Sequence, residues 1–530
     1  MTVVGRAVDT GLNGSRELVS YPGYVVYNIS MLLTTPIHYL VTCWRKMNFE
    51  EGLKEAGYFG RYQKKLLLIL FLFQFICPAI ILSITYIGMS PEWVCTSERN
   101  NNTSLHFSPD KRCHYFEGEP HNCTPSYEEG FYTIAEEWNL ICSRSHLINL
   151  TQSGFFFGFL VGAFVLGKLA DSIGRRKVTI MILVCGAIVM MLNALSPSLT
   201  LFAICRFVAG FLFAGVMAFY VLASEIVGPG QRGLVSVGTS LMFALGFVFL
   251  SFIAYVIQDW RRLMIFVSLL YIPFLTMYRS IPESPRWLLT IQEEVKARRI
   301  LIDIARTNKK TLPSDFSLKC ASSSGDQPSA GLIALFRHRV LFRRTLIMAF
   351  IWFTVCMVYY GLSLGVGSLS SNLYISFSLS GLVEVPSNLV AYVILDKLGR
   401  KWSNIITLAL GGTAALGCSF VQITGINSGG SLQMALALLG KFSISASFCV
   451  LFAYTPELYS TDVRNLGIAL CNVLARFGGI IAPVVILLDE SGAGLSMLVM
   501  GMLSVTAALL GLGVPETFNA PLPNTIHDIK

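Results

Sequence analysis

Charge is what this 530-residue chain has least of: Asp, Glu, Lys and Arg make up 13% of it, against 54% hydrophobic residues and a mean hydropathy of +0.61. A water-soluble domain of this length could neither expose that much apolar surface nor bury it in one core. Other absences narrow the function. No strand-associated phosphate loop occurs. Gly440-Lys-Phe-Ser443 shares part of its pattern but lies in an apolar stretch without the glycine five positions earlier, so nothing points to ATP as the drive. A paired-histidine helix motif, Cys/His metal spacing and a serine nucleophile elbow are all read as missing, so the chain is read as no enzyme, with no cofactor and no metal.

Long apolar runs are present instead. A helix crossing a bilayer needs roughly 20 mostly apolar residues, and such stretches recur near 66-88, 147-169, 178-195, 199-223, 233-257, 263-280, 345-367, 373-395, 404-424, 431-455, 467-488 and 492-513. The expected fold is an all-α membrane protein of about twelve spanning helices. The net charge of +9 would suggest nucleic acid in a soluble protein, but here it sits in loops. Arg286, Lys296, Arg298, Arg299, Arg306, Lys309, Lys310, Lys319, Arg337, Arg339, Arg343 and Arg344 crowd the segment 282-344, and the turns at 171-177 and 396-401 are also basic. The positive-inside rule places these in the cytoplasm, with the tail 515-530.

The acidic loop 89-146 is expected outside. Asn101, Asn102 and Asn122 each begin an N-x-Ser/Thr glycosylation acceptor there, and Cys95, Cys113, Cys123 and Cys142 are an even set that an oxidising compartment would join as two disulfides of unspecified pairing. Asp259-Trp-Arg-Arg262, an outer turn with two arginines, is an exception read as interfacial. Residues 20-44 are moderately apolar and free of Lys and Arg. The segment 1-46 is read as a dispensable extension rather than a signal peptide, an extra spanning or interfacial helix being the other option.

The chain repeats itself. Asp171-Ser-Ile-Gly174-Arg175-Arg176-Lys177 after the second helix returns as Asp396-Lys-Leu-Gly399-Arg400-Lys401 after the eighth. Glu225 stands seven residues before Arg232, and Glu457 seven before Arg464; Pro282-Glu283-Ser-Pro-Arg286 closes one half as Pro515-Glu516-Thr closes the other. The offset of six helices implies a parallel 6+6 repeat: a first half at 47-281, a cytoplasmic linker at 282-344, a second half at 345-514 and a tail at 515-530. These carboxylates and cations suit charge locking at helix ends, tying the halves together in one conformation and releasing them in another.

Together with Gly167-Lys-Leu-Ala-Asp171, this pattern resembles the major facilitator superfamily. Glu136-Glu-Trp138-Asn-Leu-Ile-Cys142, Pro282-Glu-Ser-Pro-Arg-Trp287, Glu457-Leu-Tyr-Ser-Thr461-Asp-Val-Arg464-Asn465 and Pro515-Glu-Thr-Phe-Asn-Ala-Pro-Leu-Pro523 resemble its organic cation, carnitine and organic anion transporters. The resemblance covers about residues 48-525 and implies a plasma-membrane carrier of small organic solutes that works by alternating access, embedded in lipid as a monomer or weak oligomer. A sugar porter fits less well, because Trp352 to Ser363 lacks the paired glutamines of that group's seventh helix. A transporter-like receptor or scaffold is left open, as is whether an ion is coupled.

Ionisable residues inside the apolar helices each need a partner or a wet cavity, since at mid-bilayer they cost at least ~2.5–3.5 kcal/mol. Arg206 is read as structural. Glu384, Lys441 and Arg476 offer one negative and two positive groups. The resemblance places an acid where Glu384 stands; where this chain has Arg476, the cation branch carries Asp and the anion and carnitine branches carry Arg. The expected solute is therefore a zwitterion such as carnitine or a betaine, with organic anions or cations as the alternatives. Tyr359, Tyr360, Tyr220, Tyr454 and Phe442 are candidates for an aromatic cage around an ammonium. The competing structural reading is a Glu384–Arg476 ion pair that neutralises itself between helices.

Overall fold

The computed structural model describes residues 45–96, 104–105, 113, 116, 124–127, 130–313, 316–319, 337–365, 372–425, 430–460 and 463–519. The acceptors Asn101, Asn102 and Asn122, Cys123, the tail beyond 519 and nearly all of the segment 1-46 lie outside these. Among the described residues eleven helices are long and apolar enough to span a bilayer, and a shorter apolar helix, Leu495–Gly511, completes a set of twelve. In order the spans are Arg61–Ile87, Cys142–Ile173, Arg175–Ala194, Leu199–Ile226, Pro229–Val256 and Trp260–Ser280, then Arg339–Leu364, Leu373–Leu398, Arg400–Thr424, Ser431–Leu458, Leu466–Ser491 and Leu495–Gly511.

Tight turns follow from local chemistry. Gly174 (φ +103°) and Gly399 (φ +82°) hold the backbone sign that side chains resist, letting the third and ninth spans start at the very next residue. Ser198 and Asp259 cap the fourth and sixth spans through their side-chain oxygens, and Asn372 caps the eighth. Proline sets the interruptions. Pro386 cannot donate to the carbonyl of Leu382, and the eighth span breaks at Val383, one residue before Glu384. The first span contains Pro78 and breaks at Ser83.

Within the halves, backbones meet where side chains are small. A Cβ on Gly158, Gly162 or Gly210 would be driven into the carbonyl oxygens of Phe207, Phe211 and Phe155 respectively, so the second and fourth spans touch backbone to backbone. The second span packs on the eleventh and the fifth on the eighth across the seam between halves.

The contacts that cross this seam gather towards the end of the bundle that carries the cysteine loop. Ser145 donates to Glu490 (3.0 Å) and Ser153 to the carbonyl of Ile480 (2.8 Å). Tyr86 stacks on Tyr374 at 5.5 Å, Phe247 on Phe377 at 4.9 Å, and Gly381 lies directly against Phe247. At that end a three-stranded sheet of Trp93–Thr96, Ser104–Leu105 and Thr124–Tyr127 forms from the loop, and Cys113 is bonded to Cys142. Only the backbone of Cys95 is described, in the central strand.

At the opposite end, Arg45–Met47 pairs in parallel with Phe316–Leu318. Met47, Leu53, Ala56, Leu301, Ile304, Phe316 and Leu318 bury one another there, and Asn308 bonds the carbonyl of Ala56 and the amide of Tyr62. The first part of the segment read as a linker, up to Lys319, is thus packed on the start of the first half. Truncation at Met47 would remove Arg45 and Lys46 from this strand.

Candidate functional site

The charged turns come together as the repeat suggests, each cluster inside its own half. In the first half Arg175 pairs with Asp171 at 3.0 Å and lies 3.9 Å from Glu225, which in turn accepts from Ser284. Glu283 accepts from the amides of Arg176 (3.0 Å) and Ser284 (2.9 Å), filling the space beside Gly174 where a side chain would sit. In the second half Arg400 pairs with Glu457 at 3.2 Å, and Glu516 accepts from the amides of Arg400 and Lys401 beside Gly399 at 2.8 and 3.0 Å. Asp396 is exposed, and Arg464 donates to the carbonyl of Tyr459.

In this conformation the described bonds of these charges lie within their own halves and not across the seam. The seam is closed at the cysteine-loop end, and among the described residues the turns at the far end make no ion pair across it and satisfy their own helix termini instead. One participant was missed from sequence. Glu50, in the short helix Phe49–Ala56, takes Arg286 at 2.7 Å and Arg232 at 3.5 Å. The hydrogen bond and charge of Arg286 hold its carboxyl below the ordinary value of 4.5, with Arg232 adding to the effect. No repeat signal marks Glu50, because it precedes the first span and has no counterpart in the second half. The outer turn resolves similarly: Arg261 pairs with Glu137 and also donates to the carbonyls of Ala194 and Ser196, both at 2.8 Å, so it is neutralised by protein.

Mid-bundle, the ion pair is not the Glu384–Arg476 pair of the competing structural reading. Glu384 pairs with Lys441 at 3.0 Å, both side chains at most 5% exposed, and not with Arg476. The break at Val383 sets Glu384 at the start of a new helix, facing the tenth span. Tyr359 donates to the same carboxylate at 2.7 Å, Lys441 donates to Ser363 at 2.6 Å, and its ammonium lies 3.3 Å from the centre of the Tyr359 ring. Ser363 belongs to Gly361-Leu-Ser363-Leu-Gly365, which has the letters of a nucleophile elbow but runs along a helix to Leu364 and serves as a buried acceptor.

Arg476 sits one layer away, half-buried, its guanidinium 3.9 Å over the Phe159 ring and within electrostatic reach of Tyr360. Among the described residues no carboxylate lies within ion-pair distance of it. Phe156 stacks against Tyr360 at 4.5 Å, and Tyr360 stands edge-on to Tyr359 at 5.3 Å. This wall joins both halves, Phe156 and Phe159 from the second span facing Tyr360 and Arg476 from the seventh and eleventh.

The rest of the expected cage is dispersed. Tyr454 is buried at the charged-turn end, donating to the carbonyl of Pro515 at 2.6 Å. Phe442 is half-buried beside Lys441 and gives its carbonyl to Ser387; Tyr220 is half-buried in the fourth span. Phe156, Phe159 and Phe247 were missed, because in Phe155-Phe-Phe157-Gly-Phe159 every position is aromatic or small and periodicity singles out none. Arg206 is structural as expected. It is fully buried, donates to the carbonyls of Ile80 (3.0 Å) and Ile81 (3.2 Å) next to the first-span break, and bonds Gln152.

Comparison with known proteins agrees with this architecture. The sequence profile of the Major Facilitator Superfamily matches residues 131–483. An organic cation transporter protein of Drosophila melanogaster is 32% identical over 521 residues, 91% of this chain and 94% of that one. Solute carrier family 22 member 15 of Xenopus tropicalis is 34% identical, covering 91% of both chains, and member 3 of Mus musculus is 32% identical, covering 91% of this chain and 95% of its own. Among solved structures, the partially occluded inward-open form of the E. coli xylose transporter XylE superposes with a TM-score of 0.59 at 16% identity, covering 89% of this chain and 100% of that one. Its inward-open form gives 0.58 at 15%, covering 87% and 97%. The chain is a transporter, not an enzyme, and belongs to the solute carrier 22 branch of the major facilitator superfamily.

Proposed function

We propose that this transporter carries small organic solutes bearing a carboxylate, docked on Arg476, across the plasma membrane by alternating access. The observation that carries this is the split of the buried charges. Glu384 and Lys441 neutralise one another, leaving Arg476, alone of these three, without a carboxylate partner among the described residues and set against aromatic faces. A guanidinium presents paired donors that match a carboxylate, and its strength rises where water is excluded. Phe156, Phe159 and Tyr360 supply an apolar wall for the solute's hydrocarbon part.

The zwitterion expected from sequence needs Glu384 for its ammonium, and that carboxylate is already engaged by Lys441 and Tyr359. An organic anion is therefore the preferred solute. With the cysteine loop outside, seam contacts at that end correspond to a carrier facing the cytoplasm, whose charged turns have parted. Transport would draw on the solute gradient or a coupled ion.

The test is uptake of p-aminohippurate, carnitine and tetraethylammonium side by side in cells and reconstituted vesicles. Anion uptake is expected to dominate, and Arg476→Gln to reduce it about tenfold or more, the size of one lost charge-assisted interaction of ~1.5–3 kcal/mol. Unchanged anion uptake in that variant at equal surface expression sinks the reading; silence towards all three solutes in vesicles favours a receptor or scaffold.

A further inference from the structure

We infer that Lys441 is the residue that sets the charge preference of the cavity, because its ammonium is a tethered cation occupying a complete cation-binding site. Everything a bound ammonium requires surrounds that nitrogen. A carboxylate, Glu384, lies at 3.0 Å, and a hydroxyl acceptor, Ser363, at 2.6 Å. The Tyr359 ring centre is 3.3 Å away and that of Phe247, from the other half of the molecule, 5.5 Å. The Tyr359 hydroxyl bonds the same carboxylate, fixing its orientation. A cation between a carboxylate and aromatic faces in a dehydrated site is the arrangement proteins use for ammonium ligands.

Lys441 therefore does two things. It cancels Glu384, the one acid of the mid-bundle cluster among the described residues, and its stem fills the volume a cationic ligand would enter. Shortening the side chain to alanine removes three carbons and the nitrogen, the atoms of n-propylammonium, and leaves Glu384 uncompensated. The site then carries one acid at Glu384 and one cation at Arg476, which is the pattern for cations and zwitterions rather than anions.

The inference rests on the carrier reading for its transport arm but not on Arg476, so the two fail separately. For Lys441→Ala, purified in detergent, n-propylammonium is expected to raise the melting temperature in a saturable way, with no such effect on the unmodified protein or on the Glu384→Gln/Lys441→Ala double variant. In cells, tetramethylammonium uptake by Lys441→Ala is expected to exceed that of the unmodified protein by about tenfold or more, as ~2 kcal/mol for a desolvated cation–π contact implies. Should the alanine variant not accumulate, accumulation restored by growth with n-propylammonium supports the inference. Lys441→Ser, which removes both the stem and the charge, then enters the tetramethylammonium assay in its place with the same gain expected.

The inference is overturned if Lys441→Ala reaches the membrane and neither responds to n-propylammonium nor gains tetramethylammonium uptake. It is equally overturned if the double variant responds as the single one does. Loss of anion uptake in Arg476→Gln with no cation gain in Lys441→Ala leaves the function and removes this inference; the reverse pair of results does the opposite.

Discussion

Arg206 shows how one side chain in this chain is explained by its neighbours rather than by its charge. Among the described residues it has no carboxylate partner; it lies where the first span breaks at Ser83 and the carbonyls of Ile80 and Ile81 need donors. Inside a membrane-spanning bundle those carbonyls have few alternatives. Arg206→Met is expected to lower stability by about 1–3 kcal/mol, the cost of stranding buried hydrogen-bonding groups, seen as a reduced melting temperature of the solubilised protein. An unchanged melting temperature would mean the first span does not depend on it. In the sequence it was readable only as a charge inside an apolar helix; which carbonyls it serves depends on a break the proline pattern does not locate.

At the scale of elements, the closeness of the second and fourth spans is a claim about backbone contact. Gly210→Ala drives a methyl group into the carbonyl of Phe155, whereas nothing lies within 4 Å of a Cβ at Gly154 in the second span. The first substitution is expected to cost about 1–3 kcal/mol through overpacking, the second close to nothing, and thermal unfolding of the two variants side by side checks it. The strand Arg45–Met47 supports a second comparison. Removing residues 2–44 is expected to leave surface expression intact, while removal through Met47 exposes Leu301, Phe316 and Leu318 and is expected to lower it, as flow cytometry of tagged protein would show. Equal expression of both truncations would mean the strand contributes nothing to folding. The sequence suggested truncation to Met47 because family-like residues begin there, and a three-residue strand paired across the linker carries no local signal.

At the scale of the whole molecule, alternating access requires the seam at the cysteine-loop end to open. Ser145→Cys combined with Glu490→Cys places thiols where the second and eleventh spans meet. A short bifunctional thiol reagent is expected to abolish most uptake in that variant and leave either single variant active; retained uptake after verified cross-linking would exclude opening at this end. The sequence by itself determined the solvent, the number of spans and the two-fold repeat, because bilayer thickness fixes helix length and a duplicated charged turn is visible in one dimension. It also put Glu384, Lys441 and Arg476 on the page, since any charge in an apolar helix stands out. Only the tertiary structure decided that Glu384 takes Lys441 while Arg476 lies over the Phe159 ring, and that the charged turns close within their halves. Pairing depends on which faces of distant helices meet and on which end of the seam is shut, and neither is encoded in the spacing of residues along a single helix.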